Sequence, residues 1–187
     1  MLALLLLTAC PSQPTVLQIG TLYDAPCPNG DEQCEDQVFS SCDTDVAGCD
    51  GLLDISHCAP GHRDGHNYLF CQDPQPREDA SNFCRALGMS LVVVGDAYEA
   101  DWIVESADQT LSGNPWIGLV RSRGSGRWFW ENGEPIHYTE WDRFEPNNAG
   151  GGERCAEFYL DGMSDDLLGA WNDTDCSLMR NPICETW

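Results

Sequence analysis

Lysine is absent from this 187-residue chain: its nine basic residues are all arginine, and 31 acids give a formal net charge of −22. Nucleic-acid phosphates are bound by concentrated positive charge, so a nucleic-acid partner is excluded. Residues 1–75 hold 11 acids and one arginine, and the remainder 20 and eight, so the charge is spread and reads as a soluble surface. A membrane-spanning helix needs about 20 apolar residues, and the leucine-rich start, Met1 to Ala9, is too short to be one. The pattern Gly-x-Ser-x-Gly is missing, and no nucleophile and base form a recognisable pair. Asp43, Asp45 and Asp50 do not have EF-hand spacing. An enzyme is therefore not expected.

Cysteine, by contrast, is abundant. Eleven cysteines in a chain of this length are unusual for a reducing compartment, so disulfides are expected. Cys10 has a separate explanation, because Leu7-Thr8-Ala9-Cys10 resembles the lipobox of bacterial lipoproteins. That resemblance implies secretion across the inner membrane and a diacylglycerol on Cys10. The lipid would tether the chain in the cell envelope, at the outer membrane or cell surface. The segment departs from the secretory pattern in having no Lys or Arg before its apolar run. The expected organisation is a signal segment over 1–9, a lipid-anchored spacer over 10–26, an acidic Cys-rich segment over 27–57 and a folded domain over 58–187. Cys27, Cys34, Cys42 and Cys49 form an even set with three possible pairings, of which neighbour pairs, 27 with 34 and 42 with 49, are the expectation.

Local patterns define the folded domain. Ala80, Phe83, Cys84 and Leu87 recur at helical spacing and stop at Gly88, which predicts a helix over 77–87. The apolar run 91–94 predicts a strand. Asp96 and Glu99 then have capping-box spacing ahead of Ala100, Ile103, Val104 and Ala107, which predicts a second helix. Beyond Leu111, Gly and Pro punctuate short strand candidates at 116–120, 128–130 and 156–160. Helices first and strands later indicate an α+β domain. The tryptophans at 102, 116, 128, 130, 141 and 171 read as core, where their indoles fill a domain of short strands. His57, His62 and His66 suggest zinc, but they lie across Cys58 in a Gly-rich loop, and no zinc is expected from that trio.

The chemistry concentrates in Phe144-Glu145-Pro146-Asn147-Asn148, in Glu153, and in Trp171-Asn172-Asp173. Calcium takes about six to eight oxygens from carboxylates, amides, backbone carbonyls and water, and Glu145, Asn147, Glu153, Asn172 and Asp173 offer that mixture. A cis Glu145-Pro146 bond would let both flanking side chains project to one side of a tight turn.

With Cys84 in the first helix, Trp116-Ile117-Gly118-Leu119 as a core strand, and Cys155, Cys176 and Cys184 following in order, the stretch from about Cys58 to Glu185 resembles the C-type lectin domain. The resemblance implies two helices with two small antiparallel sheets and a long calcium-binding loop region, stapled by disulfides. It pairs Cys84 with Cys184 and Cys155 with Cys176, and adds a Cys58–Cys71 hairpin bridge. It further implies Ca2+ held by Glu145, Asn147, Glu153, Asn172 and Asp173, with the first four also contacting a sugar. Glu-Pro-Asn in this family goes with mannose-type sugars, including fucose, glucose and N-acetylglucosamine. Asn148 and Arg154 stand where some members have aspartates, so an auxiliary calcium is not expected. A calcium affinity around 10⁻⁴ to 10⁻³ M would suit an extracellular module. The expected role is calcium-dependent glycan capture or adhesion. The alternative is a protein-binding module in which calcium only orders the loops.

Overall fold

The computed structural model describes residues 54–160 and 168–186. The expected signal segment and spacer, Cys10, and the Cys27 to Cys49 set lie outside the described residues.

The first helix, α1 (Arg77–Ala86), buries Ala80, Ser81 and Cys84 on one face and carries Glu78 and Asp79 in its first turn. It unwinds at Leu87, and Gly88 takes the left-handed conformation (φ 75°) that a residue without Cβ adopts at no steric cost. The second helix, α2 (Ala97–Thr110), starts where the capping residues place it. Asp96 accepts a hydrogen bond from the Glu99 N–H at 2.9 Å, and Glu99 accepts one from the Gly95 N–H at 2.7 Å. Its inward face is Ala100, Ile103, Val104 and Ala107, the set read from the sequence.

Among the described residues, eight strands accompany the helices. They are β1 (Cys58–Arg63), β2 (His66–Cys71), β3 (Ser90–Leu91), β4 (Pro115–Arg121), β5 (Trp128–Trp130), β6 (Cys155–Phe158), β7 (Trp171–Thr174) and β8 (Asn181–Glu185). Their main order is β1-β2-β8-β4-β6-β7, with β3 paired to β8 and β5 to β4. The expected pair of antiparallel sheets is thus present as two antiparallel groups, β1-β2-β8-β3 and β5-β4-β6-β7. They are joined by a short parallel pairing of Pro115 with Asn181 and Trp116 with Pro182. Trp116 reinforces this seam by donating its indole N–H to the Gln75 carbonyl at 2.9 Å.

The strand read over 91–94 shrinks to a two-residue ladder. Val92, Val93 and Val94 remain buried, but the Val93 N–H goes to the side chain of Glu185 at 2.9 Å rather than to a neighbouring strand. Next to this run, Gly118 admits the Leu91 carbonyl so closely that a Cβ would sit 2.8 Å from its oxygen.

Disulfides Cys58–Cys71, Cys84–Cys184 and Cys155–Cys176 are those that the resemblance implied. The second closes a sequence separation of 100 residues. In the chain-entropy account a loop of that length is worth about 4.7 kcal/mol. Trp116, Trp130 and Trp171 are fully buried, while Trp102, Trp128 and Trp141 pack partly buried against the core. Trp171 is the hub: Trp130, Tyr138, Trp141 and Phe158 approach its ring edge-on, with centroids 5.7 to 6.4 Å away.

Candidate metal and ligand site

The first residue of β7 draws the candidate loop onto the sheet. Trp171 donates its N–H to the Glu140 carbonyl at 2.7 Å and accepts from the Asp142 N–H at 2.9 Å, and Glu145 N–H then closes a turn on Asp142. This places the 145–153 segment beside Asp173, two residues further along the same strand. The Glu145-Pro146 bond is cis.

Four of the five predicted ligands meet here. Glu145 accepts from the Asn147 side-chain amide at 2.7 Å and from the Asn147 N–H at 3.0 Å. Asp173 is buried, and its two carboxylate oxygens accept from the Asn147 and Asn148 N–H groups at 2.8 and 3.1 Å. Ala149 N–H donates both to Asn147 Oδ1 and to Glu153 Oε2. Asn148 holds the left-handed turn (φ 52°), a conformation in which asparagine is enriched. Its side chain accepts from the Glu153 N–H at 3.1 Å. The turn ends in Ala149–Gly151, where Gly150 and Gly151 both have positive φ.

Asn172 is placed differently. It lies on β7 next to Asp173, but its side-chain amide donates to Glu157 Oε1 at 3.0 Å. Glu157 is its cross-strand partner on β6 and is itself buried and ion-paired with Arg180. One amide N–H of Asn172 is thereby fixed, leaving its second N–H and its carbonyl oxygen for another partner. Glu157 stands outside the ligand set expected from the sequence. The sequence hint was an acid inside the otherwise apolar strand Cys155–Phe158.

The carboxylates of the loop crowd one another. Glu145 is pushed up from 4.5 to about 7, first by burial, then by its hydrogen bond with Asp173 and the charges of Asp173 and Glu153. Glu153 is also raised, by burial first and then by neighbouring carboxylates, against the Ala149 N–H. Among the described residues, no Arg or His forms an ion pair with Glu145, Glu153 or Asp173. Crowded carboxylates beside an amide oxygen are a donor set that fits calcium.

A carboxyl whose folded value is raised holds more protons folded than unfolded, so its contribution to stability falls as pH rises from 4.5 to about 7. Buried Glu185, also raised chiefly by burial, acts in the same direction. The melting temperature in chelator is expected to drop over that window, and calcium to remove part of the drop. Equal slopes with and without calcium would refute the Glu145 assignment.

The histidine trio does not converge. His57 lies 3.5 Å from Asp73, His62 Nδ1 is 3.0 Å from Asn67, and His66 Nδ1 is 2.6 Å from Glu185.

The family profile described as "Lectin C-type domain" matches residues 73–186. Similar proteins include a C-type lectin mannose-binding isoform of Oxyuranus scutellatus, 34% identical over 127 residues, which are 66% of this chain and 78% of that one. The CD209 antigen-like protein C of Mus musculus is 32% identical over 124 residues, 65% of this chain. The match spans 64% of the mouse protein, less than two thirds of its length. Among solved structures, the mouse scavenger receptor C-type lectin carbohydrate-recognition domain superposes with a TM-score of 0.59 at 30% identity, covering 70% of this chain and 94% of that domain.

Proposed function

This chain belongs to the C-type lectin domain family, and from that premise we propose that it is a calcium-dependent carbohydrate-binding protein of mannose-type specificity. The observation that carries the proposal is the convergence of Glu145, Asn147, Glu153 and Asp173, with no Arg or His ion-paired to their carboxylates among the described residues. The mannose-binding description of the Oxyuranus scutellatus relative supports the sugar class.

Glu145, Asn147, Glu153 and Asn172 would hold calcium and hydrogen-bond the sugar, while Asp173 would bind calcium through its side chain and backbone carbonyl. Bound calcium would supply direct coordination for two adjacent sugar hydroxyls. The protein's part is to set the order of acceptors and donors around those hydroxyls. Glu145 can only accept, whereas Asn147 can donate through its amide, so the pair selects one hydroxyl geometry. Asp173 holds the backbone of Asn147 and Asn148, and Glu157 orients the Asn172 amide.

Exchanging acceptor and donor tests this reading. The double variant Glu145→Gln/Asn147→Asp is expected to move preference from mannose towards galactose by about tenfold or more, a shift of ~1.4 kcal/mol in relative affinity. An unchanged sugar profile, measured by competition on immobilised mannose, would sink the shared-ligand mechanism.

Display on a cell envelope through a lipid on Cys10 belongs to the same proposal and is motivated by Leu7-Thr8-Ala9-Cys10. Many tethered copies would raise avidity at a weak monovalent site. Intact-mass analysis lacking a diacylglycerol adduct on Cys10 would remove this element of it.

A further inference from the structure

A second set of metal-ligand atoms lies on elements that the candidate lectin site does not use. His66 on β2, Glu99 in the first turn of α2 and Glu185 at the end of β8 each present one donor atom, and the three atoms lie within 4.8 Å of one another. His66 Nδ1 is 2.6 Å from Glu185 Oε1. The second oxygen of each carboxylate is already anchored by main chain: Glu185 Oε2 by the Val93 N–H at 2.9 Å, and Glu99 Oε2 by the Gly95 N–H at 2.7 Å. Tyr68 donates its hydroxyl to Glu99 Oε1 at 2.7 Å. Outer contacts of this kind, which fix the direction of a ligand atom, characterise built metal sites.

Charge and access point the same way. The Glu185 side chain is 1% exposed, and among the described residues its only ion-pair partner is His66. His66 keeps 35% of its side-chain surface, and Glu99 is part-exposed, so an ion can enter from that side and retain a solvent ligand. One imidazole nitrogen and two carboxylate oxygens with an open fourth position are a zinc-type set. Calcium takes six to eight oxygens, and here main-chain N–H groups engage one oxygen of each carboxylate.

We propose that His66, Glu99 and Glu185 form a binding site for a zinc-class divalent metal, which ties β2, the start of α2 and β8 together. Binding exchanges the His66–Glu185 hydrogen bond for metal ligation at the same atoms; the proton displaced from Nδ1 of the neutral imidazole is taken up at Nε2 by way of solvent, so the ligand remains neutral imidazole and Glu185 an ionised carboxylate. The site shares no residue with the calcium proposal and stands independently of it.

The test is calorimetric titration of zinc chloride into the chelator-stripped full chain with calcium held saturating. One equivalent is expected in the wild type. Affinity should fall at least about tenfold in both His66→Ala and Glu99→Gln, and remain unchanged in His62→Ala. Cobalt(II) substituted in place of zinc should give visible absorption bands in the wild type that His66→Ala abolishes. Circular dichroism of each variant establishes that it is folded. Absence of zinc uptake, loss of uptake under saturating calcium, or equal affinity in wild type and His66→Ala would each overturn the proposal.

Discussion

Asp173→Ala is expected to abolish calcium binding, with a loss of at least 100-fold in affinity, and to remove sugar binding with it. The carboxylate is buried and uses both oxygens to hold the Asn147 and Asn148 N–H groups. Hydrogen bonds to a charged acceptor are worth about 1.5 to 3 kcal/mol each, so their loss loosens the turn as well as removing a ligand. The variant also takes away the group whose hydrogen bond and charge raise Glu145, so Glu145 should titrate nearer its ordinary range. Calcium titration by calorimetry measures the first effect, and the pH dependence of the metal-free melting temperature measures the second. Wild-type calcium affinity in Asp173→Ala would place the ion elsewhere.

Trp171→Ala should have the largest effect on the fold. Its fully buried ring meets four other aromatic side chains, and large-to-small changes of this kind cost about 3 to 5 kcal/mol. Trp171→Phe should cost less, because the indole N–H has no hydrogen-bond partner among the described residues and no bond is lost with it. Denaturant unfolding monitored by circular dichroism separates the two variants. A loss below about 1 kcal/mol in Trp171→Ala would contradict its place at the centre of the core. Trp171 also links fold to site, since its main chain holds Glu140 and Asp142 while the next two residues are Asn172 and Asp173.

These cases show which parts of the molecule the sequence discloses. Helix starts and stops are local events. Asp96 with Glu99, and Gly88 after Leu87, announce themselves because the groups that make the cap lie within four residues. The 145–153 turn is legible for the same reason, since most of its hydrogen bonds are internal. Long-range contacts leave no such trace. The parallel pairing of Pro115 and Trp116 with Asn181 and Pro182 joins strands more than 60 residues apart and has no periodicity to betray it. The run at Val92 to Val94 has strand composition, yet a glutamate carboxylate from β8 takes the N–H that a ladder would use.

Glu157 and Glu185 make the same point at the level of chemistry. Each reads as an isolated acid in an apolar strand, and each is almost wholly buried because a distant partner compensates it, Arg180 in one case and His66 in the other. Cross-strand register sets Glu157 against Asn172 and gives it a part in the site. The histidines at 57, 62 and 66 are neighbours in sequence but part in space: the hairpin sends His66 towards the carboxylates of α2 and β8, while His57 and His62 face Asp73 and Asn67.

In the proposed function, a calcium cage in the 145–173 region binds mannose-type sugars. Binding of the protein to a glycan array, first with calcium and then with a chelator, tests it most directly. Calcium-dependent signal on mannose, fucose, glucose or N-acetylglucosamine structures, lost in chelator, is the predicted result. Absence of glycan signal while calcium still raises the melting temperature would contradict it, and would leave a cage that orders loops for a protein ligand.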